Sequence, residues 1–69
     1  MFTTENHPQR LNIIGESHLS LTNRKRYAEF AVWAWEQNLY KASESDQTKN
    51  LNYFTVELEL INKELSKNQ

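Results

Sequence analysis

Two runs of apolar residues step along this chain by threes and fours, with a stretch lacking apolar residues between them, and this pattern leaves room for little besides a helical hairpin. Ala28, Val32, Trp35, Leu39 and Ala42 advance by alternating four and three, which places them on one seam of a helix. Leu51, Phe54, Leu58, Ile61 and Leu65 do the same by three and four. Between them SESDQT, Ser43 to Thr48, carries only short or polar side chains that favour turns and helix starts. The expected fold is mostly α: an antiparallel hairpin of helices over about 21–42 and 46–67, with regular cores at 22–42 and 49–67 around a turn at 43–48.

The competing pattern in the second run is a strand. Phe54, Val56, Leu58 and Leu60 alternate with Thr55, Glu57 and Glu59, but the alternation stops at Ile61 while the helical spacing continues to Leu65. The first helix has three possible caps, Ser20, Thr22 and Asn23, and its start is expected near Ser20 to Thr22. Residues 1–21 are less regular. Asn6, Pro8, Leu11, Ile14 and Gly15 fit a helical turn or two that opens on proline and stops at glycine. Leu11–Ile14 and Ser17–Leu21 also fit two short strands, so the element across the hairpin is a short helix or a strand pair.

Size then bears on function. A chain of 69 residues is one small domain, 1–69, and such a domain buries only about 60% of the surface its unfolded form exposes. It has no cysteine, which removes disulfides and thiolate zinc sites as staples and leaves association. The first residues, MFTTENHP, lack the basic start and apolar run of a secretion signal, and cytoplasmic residence is the expectation. Eight basic and nine acidic side chains give a formal charge of -1, so overall electrostatics favour neither nucleic acid nor an anionic membrane.

The residues between Tyr27 and Tyr40 hold five of the eight aromatic side chains, including both tryptophans. One seam uses only part of that apolar surface. On a helix running to 42, Trp33 and Tyr40 share a second face, with Phe30 toward its flank. The bland explanation is that residues 1–21 cover this face. The functional one is a contact surface, since Trp and Tyr bury large rigid areas and are enriched in binding hot spots. On the second helix Tyr53, Val56 and Leu60 form a weaker stripe apart from its seam, bordered by Glu57 and Glu64. The expected partner-binding residues are therefore Phe30, Trp33, Tyr40, Tyr53, Val56 and Leu60, and pairing of two hairpins as a four-helix bundle would use both stripes.

Arg24, Lys25 and Arg26 form the one basic run. They oppose the dipole of a helix start and could meet phosphates or an acidic partner, although a solvated turn explains them as simply. Arg26 and Glu29 have pairing distance on a helix. Catalysis has little support. His7 and His18 lack metal-ligand spacing, and exposed or capping roles suit them. Glu57 and Glu59 diverge on a helix, and one glycine cannot make a phosphate loop. No catalytic residue, metal or cofactor is expected. The leading expectation is a non-catalytic protein-binding regulator or inhibitor, a homodimer with a further protein partner, in a size format shared with small regulators of phages and mobile elements. A nucleic-acid-binding regulator using Arg24, Lys25 and Arg26, and a structural assembly subunit, are the alternatives.

Overall fold

A computed structural model describes residues 1–67. Three helices follow one another: α1 at Arg10–Ile14, α2 at His18–Glu36 and α3 at Glu44–Lys67. Helices α2 and α3 pack together as the hairpin. Their antiparallel register is set by three contacts: Arg24 to Glu57, Tyr27 to Phe54, and Gln47 to the carbonyl of Trp35. The N-terminal element is helical, and no strand forms among the described residues.

Helix boundaries follow local hydrogen bonding more than the apolar pattern. Helix α2 begins at His18, earlier than the expected Ser20 to Thr22, because Ser17 is its N-cap: the Ser17 hydroxyl accepts from the Ser20 amide at 3.2 Å. It ends at Glu36 instead of 42. Asn38 takes a left-handed backbone, φ 51°, the Leu39 amide donates back to the Ala34 carbonyl, and the Asn38 amide donates to that of Trp35. These are the two crossed bonds of a Schellman stop, with asparagine in the position glycine usually takes. The Asn38 side chain then holds the loop, accepting from the Ala42 amide at 3.0 Å and donating to its carbonyl at 3.2 Å. The reversal accordingly lies ahead of the expected 43–48, and α3 starts at Glu44. There the Ser43 hydroxyl accepts from the Asp46 amide at 3.2 Å, and Glu44 and Asp46 complement the helix dipole in its first turn.

Lys41 is also left-handed, φ 53°, a conformation that costs a residue with a Cβ roughly 1–2 kcal/mol. Lys41→Gly removes that strain at some loss of unfolded-state restriction. A net gain of about 0.5–1 kcal/mol in urea unfolding is expected. No gain would mean that the turn holds Lys41 there without cost.

The core consists of Ile13, Leu21, Ala28, Val56, Leu60 and Ile61, with Phe2, Leu58 and Leu65 against it. Its position corrects the expected seam on both helices. On α2 the buried arc runs through Leu21, Ala28, Ala31 and Ala34, while Val32 and Trp35 are half-buried and Leu39 is exposed. Small alanines let α2 lie close to α3, and the bulky side chains turn outward. On α3 the buried arc is wider than one seam, because α2 covers one side of it and residues 1–14 cover the other. Val56 and Leu60 are thereby core residues.

Candidate functional site

The N-terminal segment determines which apolar surface stays free, and it lies along α3. Phe2 is fastened to Asn52 by a reciprocal pair: its amide donates to Asn52 Oδ1 at 2.8 Å and its carbonyl accepts from Asn52 Nδ2 at 3.3 Å. His7, expected to be exposed or capping, is buried. Its Nδ1 accepts from the Gln9 amide at 3.1 Å, which places the ring proton on Nε2, where it donates to the Tyr53 carbonyl at 3.0 Å. The His7 ring also packs on Tyr53, centroids 4.4 Å apart, with Phe2 edge-on to Tyr53 at 5.3 Å. Tyr53, Val56 and Leu60 are thus occupied within the chain: Val56 and Leu60 are buried and Tyr53 is half-buried. They do not form a second partner stripe.

Among the described residues nothing comparable covers the outward side of α2. Tyr27, Phe30, Trp33, Leu39 and Tyr40 are each 51–63% exposed. Because α2 stops at Glu36, Tyr40 leaves the face it was expected to share with Trp33. It folds back onto Trp35, centroids 5.0 Å apart, and Trp33 instead neighbours Phe30 at 6.0 Å. Tyr27 meets Phe54 of α3 edge-on at 6.2 Å. Tyr27, Phe30, Trp35, Tyr40 and Phe54, with Ala31 and Asn50, line a cleft of about 320 Å³ between α2 and α3, and Trp33 stands beside it against Phe30. Tyr27, Trp35 and Phe54 were outside the expected site. For Trp35 the signal was the early helix stop at Asn38, which brings Tyr40 to it; Tyr27 and Phe54 meet through the packing of α2 on α3.

Chemically the cleft is aromatic on most sides, with the Asn50 amide and the two tyrosine hydroxyls as its polar groups. Such a surface buries apolar side chains of another molecule and orients them through a few hydrogen bonds. Tyr27, Phe30, Trp33 and Tyr40, each just over half exposed, amount to roughly 340–570 Å² of aromatic surface, taking 150–250 Å² for each when fully buried. Patches on monomers reach about 300–600 Å² and are often functional at that size.

The basic run is divided. Arg24 turns into the protein, where its Nε lies 3.1 Å from both carboxylate oxygens of Glu16 and its Nη2 also bonds Glu16. Its Nη1 reaches Glu57 at 3.4 Å. Arg24 is consequently engaged by two carboxylates with a quarter of its side chain exposed, while Lys25 is half-buried and Arg26 exposed. The suggested Arg26 to Glu29 pair is not among the ion pairs of the described residues. Glu57 is 4% exposed, and this desolvation raises its carboxyl pKa above the ordinary value although Arg24 opposes the shift. The hydrogen bonds from Arg24 hold Glu16 below it. The cluster ties the α1–α2 connection, α2 and α3 together, and its closed bonding suits a structural part.

Comparison with protein-family models, curated proteins and solved structures finds no match, so function has to be argued from the chain's own residues.

Proposed function

We propose that this protein is a non-catalytic protein-binding regulator or inhibitor, and that it grips its partner through the aromatic cleft of α2 and α3. The observation that carries this reading is the uncovered aromatic face: the N-terminal segment packs on α3, and Tyr27, Phe30, Trp33 and Tyr40 stay more than half exposed. Phe30, Trp33 and Tyr40 remain in the proposed site from the sequence, joined by Tyr27, Trp35 and Phe54. Self-association through the same surface is part of this reading. Large rigid rings are the side chains that dominate interface energies. Action then consists of occupying a partner's surface, with no cofactor or metal required.

Immobilised wild-type chain, Trp33→Ala and Leu11→Ala should be compared as baits in lysate of the native host. Leu11 is an exposed leucine on α1, away from the cleft, and controls for general stickiness. A protein retained by wild type and Leu11→Ala but lost with Trp33→Ala is expected. Retention should persist at about 200 mM salt, where phosphate-driven binding would have weakened steeply. Equal retention by all three baits would defeat the reading.

A further inference from the structure

The outward face of α2 carries a second helical seam. Leu19, Asn23, Arg26, Phe30, Trp33 and Gln37 advance by four, three, four, three and four, and every one of them is exposed. That spacing is what one helix offers to another helix packed along it. We infer that the occupant of this face is a second copy of the chain, docked with its α2 antiparallel to the first about a twofold axis at Phe30. This inference rests on the protein-binding reading of the aromatic face and names the partner that the face takes.

Charge chooses the direction. In a parallel pair Arg26 would meet Arg26 of the other copy, a like-charge contact at the centre of the seam. In an antiparallel pair centred on Phe30, each layer instead matches its chemistry. Phe30 meets Phe30, Arg26 lies over the Trp33 indole of the other copy as a cation on an aromatic face, and Asn23 meets Gln37 amide to amide. Leu19, isolated and 72% exposed at the start of α2, comes opposite the exposed Leu39 and Tyr40 of the other copy. The same axis puts Arg26 and Trp33 on one flank of the seam and both clefts on the other. An isologous contact requires this kind of self-complementarity.

Area supports the same occupant. A stable interface takes about 800 Å² from each partner, and the four aromatic side chains supply roughly half of it before Leu19, Leu39 and the polar rim are added. A formal charge of -1 on the chain leaves little repulsion between copies. Among the described residues only three large side chains, Ile13, Leu21 and Ile61, are fully buried within one copy, so pairing adds apolar burial that the chain by itself lacks. A client that uses the cleft then competes with the second copy.

The test is sedimentation equilibrium of the full chain, with circular dichroism of the same samples. Wild type is expected to dimerise, and Trp33→Ala to raise the dissociation constant about thirtyfold or more with helicity retained, as a hot-spot truncation does. Direction is read separately. Because the chain has no cysteine, Asn23→Cys and Gln37→Cys can be made singly and treated with a short bis-maleimide. Cross-linking in the mixture but in neither variant alone supports the antiparallel seam. Cross-linking of each variant alone overturns it, as does a wild type that sediments as a monomer at about 100 μM. In that last case a Trp33-dependent partner from the host would still uphold the protein-binding reading, which separates the two failures.

Discussion

Arg24→Met is expected to lower the unfolding free energy by about 3 kcal/mol at neutral pH, with a smaller loss near pH 4, where the Glu57 part is gone. Removing one partner of a buried ion pair costs about 3–5 kcal/mol because the other charge stays behind unpaired. The lower end applies because the Arg24 side chain is itself a quarter exposed. Glu57 is the charge left behind, at the middle of the α3 arc that faces both α2 and the N-terminal segment. Methionine keeps most of the aliphatic stem, so the change reports mainly on charge.

The pH dependence follows from the two carboxylates. Arg24 holds Glu16 below the ordinary range, so the stability from that pair is present above the unfolded glutamate pKa of about 4.3 and is lost as pH falls through the lower folded value. Glu57 has the opposite sign. Its raised pKa means that the folded protein binds this proton more tightly than the unfolded chain, so ionising Glu57 costs stability as pH rises from the unfolded value through the higher folded one. Without Arg24 that cost grows and the Glu16 contribution disappears, both at neutral pH. At about pH 4 Glu57 is protonated in the fold and its cost is gone, while Glu16, held below the ordinary range, keeps part of its contribution until pH falls through its lower folded value. Urea melts of wild type and variant at about pH 7 and pH 4 measure this. A further change, Glu57→Leu in the Arg24→Met background, should recover most of the loss, since apolar replacement of a complete buried pair is often neutral. A loss equal at both pH values would mean that Arg24 stabilises by packing alone.

This cluster also marks the boundary of what could be read from sequence. Apolar spacing was enough to place two antiparallel helices, because a three-four pattern over many residues has no strand counterpart. It could not place their ends, which depend on single side chains: Ser17 and Ser43 as caps, and Asn38 in a left-handed stop. All three have recognisable residue types, yet apolar periodicity passes through them and suggested helix up to Ala42. The early stop at Glu36 then moved Tyr40 from the Trp33 side to Trp35 and created the cleft. Contacts between distant residues were less legible still. Nothing local links Arg24 to Glu57, His7 to Tyr53, or Phe2 to Asn52, since those pairings arise from the path of the N-terminal segment across α3. Phe30 and Trp33 were readable as surplus because they lay off the one seam expected for α2, although in the fold Ala28, Ala31 and Ala34 make that contact in place of Val32, Trp35 and Leu39.

The alanine contact leads to a reversal of the usual ranking of side chains. Ile61→Ala is expected to cost about 3–4 kcal/mol, and Trp35→Ala about half as much, although the tryptophan loses more atoms. Sequence spacing placed both on hairpin seams, where truncating the indole would be the more damaging change. In the fold Ile61 is fully buried among Leu21, Ala28 and Leu60 in the core cluster, so its truncation loses transfer energy and leaves a cavity that the close α2–α3 packing cannot collapse around. Trp35 is half-buried, opens onto the cleft and meets Tyr40 at a tilt, so water can enter where the indole was and no sealed cavity forms. A domain of this size has a total stability of about 3–10 kcal/mol. Ile61→Ala should therefore lose roughly a third or more of its stability and melt far below wild type, while Trp35→Ala loses about half as much and stays cooperative and helical in thermal melts. If Trp35→Ala proves the more destabilising, the indole is a core residue, the cleft is not a free surface, and the binding site reduces to Phe30 and Trp33 on the outer face of α2.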